Sequence, residues 1–166
     1  NLAAIIFWAF GLLGVTQLGN LILTAFFGPG PAEAQPSLAI HLLFTLLTLM
    51  AFDLGTFLAH YLLHKVKLLW EFHKVHHSAE VLTPVSAFRL HPVEKLLDLF
   101  FRLLITGIVS SVFVYLYPGG SPELTILAFN AVGFFIYYPL FILQHSHVAI
   151  GYGPRLSQIM VSPLMH

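Results

Sequence analysis

Four long stretches of this chain carry almost no charged side chains. They cover residues 2–27, 38–59, 96–117 and 124–143, and their few charges are Asp53 in the second stretch and Asp98 and Arg102 early in the third. About 20 helical residues, each rising about 1.5 Å, are enough to cross a hydrocarbon core of roughly 30 Å. Because lipid offers the backbone no hydrogen bonds, such segments cross as helices. The sequence therefore predicts an all-α integral membrane protein with four transmembrane helices.

Composition and turn signals agree with this prediction. The chain is 58% hydrophobic and has a mean hydropathy of +0.87, well above ordinary soluble usage. The runs GPGP at 28–31 and PGGSP at 118–122 separate the stretches in pairs, which predicts two helical hairpins in a single membrane domain, residues 1–166. The first stretch lacks the basic start and the cleavage pattern of a signal peptide, so we expect it to remain in the mature protein.

The basic residues predict an orientation. All seven lie on the side of the membrane that follows the second and fourth stretches: Lys65, Lys67, Lys74, Arg89, Lys95, Arg102 and Arg155. The turns at 28–37 and 118–122 contain none. By the positive-inside rule the basic side is cytoplasmic. Trp70 and Phe72, flanked by lysines, favour an interfacial helix there, so we expect a cytoplasmic helical cap.

A cluster of histidines falls on the same side. Five of the ten histidines lie within residues 60–77, as His60, His64, His73, His76 and His77. Residues four apart share a helix face, and the last three also converge if residues 68–77, which contain neither Gly nor Pro, are helical. Five imidazoles exceed the needs of one tetrahedral ion with an open position, which predicts a two-metal centre. His41, alone among leucines, is interpreted as structural.

The rest of the composition narrows the chemistry. The chain has no cysteine, so a metal must be held by nitrogen and oxygen. The net charge is zero with neutral histidines, and the basic residues are scattered, so nothing indicates nucleic-acid binding. His145 follows the fourth stretch on the side of the cluster, which makes it a candidate ligand from a different helix.

An ordered set of motifs carries a resemblance to a known family. It comprises Asp53, the pair His60-x-x-x-His64, the run LWEFHKVHHS at 69–78, the run FRLHPVE at 88–94 and the run QHS at 144–146. This set resembles the sterol desaturase and fatty acid hydroxylase superfamily from about residue 50 to residue 166. Members are integral membrane oxygenases whose histidine boxes bind two metal ions.

The resemblance implies a ligand set, a cofactor and partners. Its implied metal ligands are His60, His64, His73, His76, His77, His145 and His166. His166 matches the first histidine of a last box that continues x-x-His-His, so we expect the chain to be truncated at its C-terminus. The implied cofactor is two iron ions, which zinc could replace, with O2 as co-substrate. A lipid would be hydroxylated or desaturated with electrons from a cytochrome b5-like protein, a ferredoxin or a reductase. No catalytic residue beyond the ligands is implied.

Four residues are candidates for supporting the ligands. Asp53 precedes His60 by two helical turns and could accept its free N–H, or it could pair with Arg102 or a lysine inside the membrane. His91 precedes Pro92, and Glu94 follows near the same helix start, so capping alone could explain both. The resemblance also implies that His91 lies close to the metals. His147 stands where many relatives have Asn, and its role is open.

Other functions would require different sequence features. A haem protein held by two histidines would not need the adjacent His76 and His77, and a zinc protease would show His-Glu-x-x-His, which the sequence lacks. A metal transporter would place ligands near the bilayer midplane rather than at its rim. Haem binding and metal transport remain the alternatives to lipid oxidation, together with a purely structural membrane protein.

Overall fold

Three long helices form the body of the protein. The computed structural model describes residues 2–31, 35–78, 83, 88–118, 120, 125–126, 129–130, 133–144, 148, 150–151 and 153–156, with the backbone alone at 2–6, 125–126, 129–130, 134, 144 and 155–156. Helix α1 spans Leu2–Phe27, α2 spans Leu38–Lys65 and α4 spans Pro92–Leu116. Between the last two lie the short helix α3, Lys67–His73, and a 3-10 turn, His76–Ser78.

The C-terminal part of the described chain is built from short pieces. Strands β1, Thr125–Ile126, and β2, Phe129–Asn130, pair antiparallel. A π-helical turn, Gly133–Tyr137, leads directly into α5, Tyr138–Gln144. A single helical turn, α6, follows at Gly153–Leu156.

Three of the helices are long and apolar enough to cross a membrane: Phe7–Phe27 within α1, and all of α2 and α4. Many of their large apolar side chains point outward, and Phe10 and Phe26 are 71% and 81% exposed. The contacts between helices bury a few large apolar side chains, such as Leu63 and Phe113, together with small polar residues: Thr45, Thr48, Thr106, Ser110 and Ser111. This arrangement suits lipid, where apolar side chains gain little by leaving the surface and small residues let helices approach. The chain is a multi-pass membrane protein.

Helix α4 packs against both α1 and α2, which contact each other little. Glycines permit the close approach on each side. A Cβ on Gly55 of α2 would lie 2.7 Å from the Cα of Arg102, and one on Gly107 of α4 would collide with the side chain of Val15. The expected hairpin of the first two spans is therefore replaced by a layout in which α4 lies between α1 and α2.

Arg102 of α4 forms a charged pair within its own helix and a hydrogen bond to α2 inside the apolar region. The Nε of Arg102 lies 2.7 Å from an oxygen of Asp98, one turn earlier on α4, and donates to the Oγ1 of Thr56 on α2 at 2.8 Å. The guanidinium also lies 4.4 Å from the centre of the Phe52 ring. Charged groups at this depth are costly unless they are paired. Here the hydrogen bond to Thr56 helps fix the position of α4 along α2, and Asp98 neutralises the charge of Arg102.

The predicted bounds hold for the first span and shift for the next two. Helix α1 matches the expected residues 2–27, whereas α2 continues past residue 59 to Lys65. Helix α4 begins at Pro92 because the ring of His91 caps it, its Nδ1 accepting from the N–H of Val93 at 3.2 Å. The extensions carry His60, His64 and Glu94 on regular helix.

The predicted fourth span is not a continuous helix. Within residues 124–143 the described chain forms β1, β2, the π-helical turn and part of α5. Asn130 and Gly133 are weak helix formers, and Pro139 lacks the N–H that an uninterrupted helix would use. An apolar run of sufficient length was therefore not enough to predict one regular helix.

Candidate metal centre

Four imidazole rings converge at the C-terminal end of α2. The Nε2 of His64 lies 3.1 Å from that of His60 and 3.2 Å from that of His73, and the Nε2 of His77 lies 3.0 Å from that of His73. All four nitrogens lie within 4.8 Å of one another. His73 is fully buried and His60 is half-buried, while His64 and His77 are exposed. The group therefore forms a compact set of donors that is open on one side.

Local structure explains how the sequence brings these rings together. His60 and His64 lie one turn apart on the last two turns of α2. Val66, which is extended at φ −96° and ψ 113°, separates α2 from α3 and lets the chain change direction. Helix α3 then ends at His73, and the turn that follows brings His77 back beside it. The expected continuous helix over 68–77 is therefore broken, yet His73 and His77 still meet.

Hydrogen bonds between the four rings cannot account for all the short contacts between their nitrogens. The Nε2 of any imidazole carries either one hydrogen or one in-plane lone pair. The Nε2 of His73 faces two other nitrogens, those of His64 and His77, and so does the Nε2 of His64, which faces His60 and His73. One hydrogen or one lone pair cannot make two good hydrogen bonds. The arrangement is better suited to four lone pairs directed at a cation.

The spacing of the nitrogens fits one metal ion. With metal–nitrogen bonds of about 2.0–2.1 Å, neighbouring nitrogens are about 3.3 Å apart at tetrahedral angles and about 2.9 Å apart at right angles. The three shortest separations here, 3.0, 3.1 and 3.2 Å, lie between these values. All-nitrogen donors suit iron and zinc. His60, His64, His73 and His77 are therefore candidate ligands of one such ion.

A carboxylate lies behind one of the four rings. The Nδ1 of His73 lies 2.9 Å from the Oε1 of Glu94, and the two side chains are 0% and 6% exposed. Glu94 lies in the first turn of α4, so this contact joins α4 to α3 directly beneath the donor group. Glu94 is thus a candidate supporting residue that the structure places against a clustered ring.

Two other candidates have different partners. The ring of His91 caps α4 and packs against Phe72, with ring centres 4.7 Å apart. Asp53 accepts a hydrogen bond from the hydroxyl of Tyr137 at 3.0 Å. Arg102, one of the partners expected for Asp53, is instead paired with Asp98. His147 lies outside them.

His76 lies next to the group of four without being part of it. Its ring is buried and stacks on that of His73 at 5.4 Å between centres, and it lies 5.4 Å from the ring of His77. The predicted ligands His145 and His166 lie outside the described residues. Four of the seven predicted ligands are therefore brought together, with a fifth beside them.

Trp70 forms a wall of the site that sequence reasoning assigned only to the membrane surface. Its ring centre lies 5.4 Å from that of His64, 5.6 Å from that of His77 and 6.0 Å from that of His73. The signal was present in its spacing, since Trp70 precedes His73 by three residues and His77 by seven. Burial and the imidazoles of His73, His76 and His64 lower the pKa of His77 to about 4. His77 is therefore neutral at pH 7, as a ligand must be.

Comparison with known proteins bears on the identity of this site. The profile of the fatty acid hydroxylase family matches residues 45–166, which include every clustered histidine. The chain belongs to the fatty acid hydroxylase family. Among curated proteins, the ornithine lipid hydroxylase OlsE of Rhizobium tropici is 30% identical over 163 residues, covering 92% of this chain and 45% of that protein. No solved structure matches the chain at a significant level.

Membership of the fatty acid hydroxylase family confirms the resemblance predicted from the motifs. The family's name describes oxidoreductases that act on lipids, which agrees with three apolar helices carrying a polar donor group at their edge. The chain spans less than half the length of its curated relative.

Proposed function

We propose that this protein is a membrane-bound lipid hydroxylase that uses two iron ions, O2 and electrons from an external donor. The observation that carries the proposal is the convergence of four imidazole nitrogens within 4.8 Å at the end of a transmembrane helix. Bound iron would supply the oxidising power to break an unactivated C–H bond, which no amino-acid side chain provides. The family match supports hydroxylation over desaturation.

The chain's own residues would divide the work of holding the two ions. His60, His64, His73 and His77 hold the first ion in this proposal, and Glu94 holds the ring of His73 in place from behind. His76, His145 and His166 are the proposed ligands of the second ion. Zinc could occupy either position during expression because it accepts the same nitrogen donors. Trp70 shields the exposed side of His64 and His77 from water.

The proposed substrate is a membrane lipid that reaches the site from the bilayer. The donor group lies at the C-terminal end of α2. The outer face of this helix carries exposed Leu54 and Phe57, so an acyl chain can lie along it. Ornithine lipid is the substrate in the name of the curated relative, which makes a lipid with an amino-acid headgroup the first candidate to test. A cytochrome b5-like protein, a ferredoxin or a reductase is the proposed electron donor.

The proposed topology places the site on the cytoplasmic side and includes a fourth crossing. Helices α1, α2 and α4 alone would leave the end of α4 on the opposite side from the histidines. The hydroxyl of Tyr137 reaches Asp53, two turns before His60 and within the apolar part of α2. This contact supports a return of the chain through the membrane by the interrupted segment 124–143, which would bring His145 to the cytoplasmic face.

The test combines metal analysis with product analysis on the full-length protein. We expect two metal ions per chain, and in cells fed candidate lipids a product heavier by one oxygen atom. Alanine at His60, His73, His76, His77 or His145 should abolish the product and lower the metal content. His41→Ala is the matched control, because His41 lies nineteen residues before His60, about 28 Å along the helix.

Two outcomes would contradict the proposal. One is a purified full-length protein that binds one metal ion or none after loading with ferrous iron. The other is loss of metal in His41→Ala with retention in His76→Ala, which would favour haem binding or metal transport at another position.

A further inference from the structure

The carboxylate of Glu94 is buried in the first turn of α4. The residue is 5% exposed, and its Oε1 contacts the Nδ1 of His73 at 2.9 Å. Its second oxygen, Oε2, is also buried and has no hydrogen-bond partner among the described residues. A buried carboxylate with one oxygen unsatisfied costs free energy, so a structural role alone accounts poorly for it.

The start of α4 favours a charged carboxylate at this position. Glu94 is the third residue of the helix, where the unpaired backbone N–H groups and the helix dipole attract negative charge. Pro92 and the ring of His91 fix where the helix begins. The carboxylate is therefore held in place from its own helix and can act on α3.

An ionised carboxylate can only accept hydrogen bonds. In a neutral His73 the ring hydrogen must then lie on Nδ1, where it is donated to Oε1 of Glu94. This leaves the lone pair on Nε2, the atom that faces His64 and His77. The opposite tautomer would place a hydrogen where a metal must bind.

We propose that Glu94 is the positioning residue of the metal centre: it fixes the tautomer of His73 so that Nε2 is available to the metal. The inference rests on the proposed function only in requiring that the site bind a metal. Because Glu94 acts through His73, it does not touch the substrate.

The experiment measures metal binding separately from lipid oxidation. The full-length protein in nanodiscs is titrated with Co²⁺, whose visible absorption reports nitrogen coordination, and Glu94→Gln is compared with wild type. Loss of the charge-assisted bond should weaken Co²⁺ binding about 10- to 100-fold, the usual effect of removing a carboxylate behind a ligating histidine. Glu71→Gln is the matched control, since Glu71 is an exposed carboxylate paired with Lys74.

A second measurement needs no variant and so does not depend on the folding of Glu94→Gln. In metal-free wild type labelled with ¹⁵N-histidine, the resonances of His73 should report hydrogen on Nδ1. Hydrogen on Nε2, or a Glu94→Gln protein that binds Co²⁺ as tightly as wild type, would overturn the inference. Wild type that binds no Co²⁺ at all would instead refute the metal centre itself.

Discussion

The contact between α2 and α4 at Gly55 provides a quantitative test of how the membrane helices support the site. A Cβ added at Gly55 would lie 2.7, 2.8 and 2.9 Å from backbone atoms of Phe101 and Arg102, where ordinary contacts begin at 3.4 Å. Backbone atoms cannot rotate away, so α2 and α4 must separate by several tenths of an ångström. Overpacking of this kind costs about 1–3 kcal/mol. We expect Gly55→Ala to lower stability and also to weaken metal binding, because α4, which must move away from α2, also holds Glu94 against His73.

Gly14→Ala is the matched control. A Cβ on Gly14 of α1 would meet nothing within 4 Å. Both substitutions gain about 1 kcal/mol of helix propensity, so the difference between the two variants isolates the overpacking penalty of about 1–3 kcal/mol. Thermal unfolding in one detergent, with and without Co²⁺, measures both effects. If Gly55→Ala were as stable as Gly14→Ala, the result would contradict the close contact between α2 and α4 at Gly55.

Two further predictions concern topology and the charged pair. With no native cysteine, Gln35→Cys and Lys74→Cys should react with a membrane-impermeant reagent from opposite sides, and labelling of both from outside the cell would refute the proposed orientation. Arg102→Met should destabilise the protein because it leaves the half-buried Asp98 without its partner, by less than the about 3–5 kcal/mol typical of fully buried pairs. Adding Asp98→Asn should recover part of that loss in unfolding measurements, and no recovery would mean that Thr56 and Phe52, not the ion pair, dominate.

The sequence predicted the features that depend on local spacing. Uncharged runs located α1, α2 and α4, and the four-residue interval between His60 and His64 placed both rings on one face. The family resemblance added the remaining boxes, and the profile match confirmed the family.

Features that depend on contacts between elements were harder to predict. The hydrogen bond of Asp53 to Tyr137 joins residues 84 positions apart, and no periodicity relates them. The break at residues 74–75 was not predicted because residues 68–77 contain no Gly or Pro. In the structure α3 ends at His73 and a 3-10 turn begins at His76. In the fourth apolar run, hydropathy indicated burial in lipid but not the path of the backbone, which Asn130, Gly133 and Pro139 interrupt.

The single extended residue Val66 has a consequence for the order of folding. It lets two helices that are neighbours in the chain fold back on each other, so all four converging nitrogens come from residues 60–77. Closing so short a loop costs little chain entropy, and contacts of low sequence separation form early. The donor group can therefore assemble while α4 is still being synthesised. Glu94 lies 21 residues after His73 and then contacts a ring whose position is already set.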